Sequence, residues 1–149
     1  MKKKILAIAS SGGHWEQLLQ LKEAWQGHDV IAVATRFLYK TDIDAEKSYL
    51  VCDAHLKNYV ALIKLAFQVL FIVLKERPEI VITTGAAPGF FGVMFGKLTG
   101  SKTIWVDSLA NINKLSRSGK FTGHFSDLWL TQWEHLAKPN GPNCKGKVI

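Results

Sequence analysis

Short apolar runs set the limits on what this chain can fold into. Lys4–Ala9, Asp29–Ala34, Ile80–Thr84, Lys102–Val106 and Leu128–Thr131 are each only four to six residues long and end in polar, glycine or proline breaks. Near-continuous apolar runs of that length suit strands buried on both faces, as in a parallel sheet. Tyr49–Cys52 is a weaker run of the same kind. Between the runs lie helix-length stretches. In His14–Trp25, Leu18, Leu21 and Trp25 share one face, Glu16, Gln17, Gln20 and Glu23 lie largely elsewhere, and Gly27 ends the pattern. Lys57–Lys75 and Phe90–Leu98 are further helical stretches, with Gly85–Gly89 expected as a loop. Strand–helix alternation at this spacing predicts an α/β fold, a Rossmann-like parallel sheet with helices on both faces. With 149 residues the expectation is one domain, 1–149. Thr35–Glu46 carries weak signals. Lys138–Lys147 is expected to be a loop or tail, leading into a strand at Val148–Ile149.

Composition narrows the function classes. Hydrophobic residues make up 48% and charged residues 21%, which excludes a disordered chain. A net charge of +7 attracts phosphate as nucleic acid, nucleotide-sugar or anionic membrane, and charge alone does not choose among them. The basic residues are dispersed and carry no RNP, KH or zinc-finger pattern, so no nucleic acid is expected as a partner. Cys52 and Cys144 lie far apart without metal-ligand spacing and read as reduced thiols; no metal is expected. GxGxxG, P-loop and Gly-x-Ser-x-Gly patterns are absent, and no cofactor is expected. Lys2, Lys3 and Lys4 precede an apolar run, Ile5–Ala9, that falls short of the roughly 7–15 residues of a signal-peptide core. A first buried strand in a cytosolic chain is the better reading.

Tyr59–Leu74 is almost wholly apolar, broken by Lys64 and Gln68. It is shorter than the about 20 residues a membrane-spanning helix requires. Lys57, Lys64, Gln68 and Lys75 are spaced by seven, four and seven, which puts them on one stripe of a helix and leaves a wide apolar arc. Three placements remain open: a core helix on the sheet, a helix in the membrane interface with its lysines on anionic headgroups, and a true span. In the interfacial placement Leu62, Phe67 and Phe71 are the candidate membrane contacts.

Three strand-terminal loops could carry chemistry. Ser11-Gly12-Gly13-His14 joins the first strand to the first helix, where glycine admits a ligand to the backbone and a helix start offers free N–H groups. A packing turn is the plainer reading. Thr84–Gly89, with Gly85, Pro88 and Gly89, stands in the same relation to the Ile80–Thr84 strand. Asp107-Ser108 follows the Lys102–Val106 strand, with Asp107 either a turn former or a cleft carboxylate. Ligands of open α/β sheets bind beyond the carboxyl ends of strands, so these loops are expected to share a cleft. Lys114, Arg117 and Lys120 follow as a solvated loop or a pyrophosphate contact.

Five blocks in order carry a family resemblance: Ser11–His14, Thr84–Gly89, Ile104–Ser108, Ser116–Lys120 and Leu130–Glu134. The chain resembles the PssD/CpsF-type subunits of bacterial capsule and exopolysaccharide synthesis. Those are similar to the membrane-bound subunit of the eukaryotic two-chain N-acetylglucosaminyltransferase that extends dolichol-diphosphate sugar, and more distantly to the N-terminal domain of MurG-type transferases. The resemblance implies the N-terminal half of a GT-B transferase split over two chains. This half would hold the lipid-linked acceptor, an undecaprenyl-diphosphate sugar, at the cytoplasmic face of the plasma membrane, as a peripheral or monotopic subunit. A nucleotide-sugar-binding glycosyltransferase chain would be its partner. The implied roles are His14 or Asp107 as proton acceptor and Ser11, Gly12, Gly13, Gly85, Pro88, Gly89 and Ser108 as acceptor or phosphate contacts. Gln132, Trp133 and Glu134 would face the partner. Relatives often carry Glu where Asp107 stands, and their N-terminal span has no counterpart before Ile5, which moves the membrane burden onto Tyr59–Leu74. The alternative class is a self-sufficient small nucleotide- or phosphate-binding α/β enzyme.

Overall fold

In the computed structural model, residues 1–36 and 43–148 are described. Residues 37–42, half of the weak-signal stretch, and Ile149 lie outside them. Among the described residues, seven strands form one parallel sheet in the order β3-β2-β1-β4-β5-β6-β7. They are β1 (Lys4–Ile8), β2 (Asp29–Ala34), β3 (Lys47–Leu50), β4 (Ile80–Thr83), β5 (Lys102–Val106), β6 (Leu128–Thr131) and the two-residue β7 (Asn143–Cys144). β7 sits inside the expected tail and pairs with Leu130 and Thr131, while the strand expected at Val148–Ile149 lies partly outside the described residues. Four helices connect them: α1 (Gly13–Gln20), α2 (Tyr59–Glu76), α3 (Ala86–Leu98) and α4 (Arg117–Gly123).

β1, β2 and β4 are largely apolar because both of their faces are covered. Leu6 and Ile8 of β1 join Leu65, Val69, Ile72 and Val73 of α2 and Val93 of α3 on one face. Ile5 and Ala7 join Trp15 and Leu18 of α1, with Trp25, on the other. This is the period-two alternation of a strand serving two cores. The helix expected over His14–Trp25 breaks after Gln20, and Lys22–Trp25 forms a separate 3-10 turn.

α3 begins four residues earlier than the sequence suggested. Gly85, at φ 127°, is its N-cap, and Ala86–Gly89 form its first turn instead of a loop. The turn can lie against the sheet because it carries little side chain. A Cβ at Gly89 would stand 2.1 Å from Thr83 Oγ1, and one at Gly96 would stand 2.6 Å from Val81 Cγ2. Gly89 thus packs α3 on β4 and does not face a ligand.

α2 starts at Asn58, whose side chain accepts a hydrogen bond from the Ala61 N–H at 3.1 Å, and stops at the left-handed Arg77 before Pro78. Its inward face is Leu65, Val69, Ile72 and Val73. Its outward face is apolar too: Tyr59, Val60, Ile63, Phe67, Phe71 and Leu74 are exposed, Phe67 by 67% and Phe71 by 62%. Gln68, on the stripe of Lys64 and Lys75, is half-buried, its Oε1 accepting the Cys52 N–H at 2.8 Å. One expectation changes. Leu62 is half-buried and turns toward α3, away from the outward face. Among the described residues no helix is long and apolar enough to cross a membrane.

The carboxyl end of α2 is pinned by Glu76, a buried carboxylate. It accepts hydrogen bonds from the Tyr49 hydroxyl and from Lys47 Nζ at 3.3 Å, and it pairs with Lys4 at 3.7 Å. The Tyr49 hydrogen bond, with the two lysines, holds the Glu76 carboxyl below the usual range, and Glu76 in turn pushes the Tyr49 hydroxyl up.

Candidate functional site

The strand order reverses at β1, which pairs with β2 on one side and β4 on the other. The loops after β1 and β4 leave in opposite directions and open a crevice between them. A cavity of about 650 Å³ occupies it, lined by Ser10–Gly12, His14, Thr35, Arg36, Leu50, the Asp53–His55 segment and Ala86–Pro88. Its walls combine two imidazoles, a guanidinium, a carboxylate, two hydroxyl-bearing loops and the N-terminal turns of α1 and α3.

The β1 loop is fixed by its own hydrogen bonds. The Ser11 N–H donates to Thr35 Oγ1 at 3.0 Å, and the Ser11 hydroxyl donates to the Arg36 carbonyl at 2.8 Å. Gly12 then takes φ 87°, a left-handed conformation suited to glycine, and caps α1. His14 is half-buried in the first turn. Its Nδ1 lies 3.1 Å from the Thr84 carbonyl, and the Thr84 hydroxyl returns a bond to the His14 carbonyl at 2.5 Å. A carbonyl only accepts, so Nδ1 carries the proton there and Nε2 is the nitrogen left to take one. Gly85 makes room for this: a Cβ on it would approach the imidazole to 3.2 Å.

Of the residues expected in the cleft, Ser11, Gly12, His14 and Pro88 line it, and Gly85 supports His14 from beneath. Gly13 is exposed in α1 and is not among the lining residues. Asp107 does not line the cleft. It is 1% exposed, and its carboxylate accepts four hydrogen bonds. The donors are Trp105 Nε1 at 3.1 Å, Asn111 Nδ2 at 3.2 Å, the Ser116 N–H at 3.0 Å and the Ser116 hydroxyl at 2.5 Å. With both oxygens occupied by these donors, it anchors the start of α4. α4 itself stands where a solvated basic loop was expected, and Gly119 lets it close on Asp107: a Cβ there would come within 2.5 Å of Oδ1. Ser108 is buried as well, its hydroxyl accepting from Gln17 Nε2 at 3.2 Å.

Gln132 departs furthest from its expected place at a partner surface. It is 1% exposed. Its Nε2 donates to Gln17 Oε1 at 2.8 Å and to the Asp107 carbonyl at 3.0 Å, and its Oε1 accepts the Val148 N–H at 2.7 Å. It ties α1, the loop after β5 and the C-terminal segment together. Trp133 is half-buried, donating from Nε1 to the Leu109 carbonyl at 2.8 Å, with Lys147 Nζ over its ring at 4.2 Å; Glu134 is exposed.

Sequence reasoning passed over Arg36, Asp53 and His55. Asp53 and His55 follow the third strand directly, so the rule that sites form beyond strand carboxyl ends could have flagged them. A second cavity of about 650 Å³ abuts the first, sharing Ala54, His55, Ala86 and Ala87 with it, and is walled mainly by apolar side chains of α2, α3 and α4.

The fold and the cleft define the class: a Rossmann-like domain equivalent to the N-terminal half of GT-B proteins. Acinetobacter baumannii MurG superposes with a TM-score of 0.68 at 17% identity, over 99% of this chain and 45% of that one. The UDP-GlcNAc 2-epimerase of Neisseria meningitidis, solved with UDP-GlcNAc, superposes with a TM-score of 0.67 at 9% identity, over 89% and 41%. S. aureus MnaA with UDP gives 0.65 at 17%, over 87% and 39%.

Within that class the chain belongs to the family described as oligosaccharide biosynthesis protein Alg14 like, which matches residues 38–145. It is similar to the UDP-N-acetylglucosamine transferase subunit ALG14 of Candida albicans, 38% identical over 42% of this chain, and to that of Yarrowia lipolytica, 34% identical over 45%. The aligned parts span 32% and 34% of those relatives' own lengths.

Proposed function

We propose that this chain, as a single domain, is the acceptor-side subunit of a two-chain glycosyltransferase and transfers sugar only with its partner. The observation that carries the reading is the half-cleft. The polar crevice is open on one side, on a chain equivalent to less than half of MurG. A reaction centre between two GT-B domains excludes water only when both are present. The relatives' name points to UDP-N-acetylglucosamine as donor, held by the partner chain.

In this reading the acceptor is a sugar on a polyprenyl diphosphate. Gly12 and the first turn of α1, with Arg36 and His55, receive the diphosphate. Asp53 accepts from sugar hydroxyls, and His14 Nε2 takes the proton of the attacking hydroxyl. Asp107 and Gln132 position the surrounding loops. Trp133 and Glu134 face the partner. The outward face of α2, with Phe67 and Phe71 between Lys64 and Lys75, rests on the anionic cytoplasmic leaflet. Capsule or exopolysaccharide assembly on an undecaprenyl carrier is the finer form that the PssD/CpsF resemblance adds.

The test is reconstituted transfer from UDP-sugars to undecaprenyl- or dolichyl-diphosphate-linked sugar, with and without the neighbouring glycosyltransferase chain. Transfer is expected only with both chains, and His14→Ala should lower it by about 10²–10⁴-fold while leaving partner capture intact. Transfer by this chain alone would overturn the half-enzyme reading in favour of a self-sufficient one.

A further inference from the structure

The second cavity has the chemistry of an apolar chain site with a charged mouth. Leu56, Leu62, Phe90, Phe91 and Phe121 supply its walls. Phe90 meets Phe91 edge-to-face at 5.3 Å and lies tilted against Phe121 at 5.7 Å, so the aromatic wall is continuous. Leu56 and Phe121 are nonetheless 65% and 63% exposed. Uncovered aromatic and aliphatic surface of this kind gains by burial under an apolar ligand. Arg117 and Ser118 also line it, and Arg117 is held at the start of α4 by the Asp107–Ser116 bonds. Where the two cavities share His55, a polar cleft and an apolar groove meet without an intervening element.

A ligand that fills both is an amphiphile with an anionic head and an apolar chain. We propose that the groove between α2, α3 and α4 is a subsite for the first isoprenoid units of the acceptor lipid, which leave the diphosphate of the adjoining polar cleft past His55 and Arg117. The inference rests on the acceptor reading above and adds to it a binding surface for the lipid itself. On leaving the groove past Leu62 the chain meets α2, whose outward face carries Ile63 and Phe67, so the same helix serves both the site and the bilayer.

Calorimetric titration of the full chain with inorganic pyrophosphate, geranyl diphosphate and farnesyl diphosphate, each below its micelle concentration, tests this. Affinity is expected to rise in that order, farnesyl diphosphate exceeding pyrophosphate by at least about tenfold. Phe121→Ser and Leu56→Ser alter exposed side chains and should keep the fold. Each should bring farnesyl diphosphate toward the pyrophosphate affinity without changing pyrophosphate itself, and Leu98→Ser, at the exposed carboxyl end of α3, should change neither. Pyrophosphate binding with no gain from the chain, or a gain that survives both groove substitutions, overturns the groove and leaves the acceptor reading standing. Absence of binding by all three probes overturns both.

Discussion

Asp107 shows how far a single position can be read from sequence. Its place at a strand's carboxyl end was legible, and so was the cleft nearby. Its role was not, because that is set by donors that only the fold brings together: Trp105, Asn111 and Ser116. Removing it strands those donors in a site that is 1% exposed. Asp107→Ala should therefore destabilise the chain by about 3 kcal/mol, read as a shift in the urea midpoint. A proton acceptor in the cleft would instead lose activity with its midpoint unchanged. His14 is the opposite case: the glycine loop marked it in the sequence, and the Thr84 carbonyl supplies the orientation that the sequence could not.

At the scale of elements, strands were legible almost to the residue where burial on both faces made them continuous, as in β2, β5 and β6. Helix starts were not. Ala86–Gly89 reads as a loop by composition, yet it is helical because glycine lets α3 lie on Thr83 and Val81. α2 was placed well, but the Cys52 N–H that Gln68 accepts from its stripe could not be read from the spacing. The outward stripe of α2 predicts binding to anionic liposomes that weakens with salt. Phe67→Ser with Phe71→Ser should abolish co-flotation without changing thermal stability, and retention of binding would remove α2 from the membrane. The anchor at the other end of the helix titrates. Glu76 has a lowered value in the folded chain, so the unfolded chain binds more protons in acid. Its contribution is present above the ordinary glutamate value of about 4.3 and is lost as pH falls through the lower folded value. Tyr49 is raised, so its contribution holds below about 10 and is lost as pH rises through its folded value. Glu76→Gln should flatten both limbs of a melting-temperature profile against pH.

For the whole molecule, the alternation of strands and helices sufficed to foresee a parallel two-faced sheet, because that pattern has few other solutions. What it did not reveal is how the far end closes. Gln132 looked like a surface residue in a polar block and is instead the buried link between α1 and the C-terminal segment. A buried amide with all its partners is invisible in a sequence that shows only its polarity. With Gln132 withdrawn from the surface, the proposed partner contact rests on Trp133 and Glu134. Glu134→Lys should weaken capture of the partner chain by at least about tenfold while the unfolding midpoint holds; unchanged capture would place the interface elsewhere.

The central place of β1 has a consequence for how the molecule is made. β1 precedes both of its sheet neighbours in the chain, so it must wait for each of them. Lys4 pairs with Asp29, but Ile5 also pairs with Ile80, on a strand that follows the whole of α2. Until that strand is available, an unfinished chain exposes one side of its most apolar strand together with a long apolar helix. Closing that distant pair is the costly step, since loop closure must precede the contacts that reward it. Nascent chains cut short before Ile80 are thus the form of this protein most in need of a chaperone.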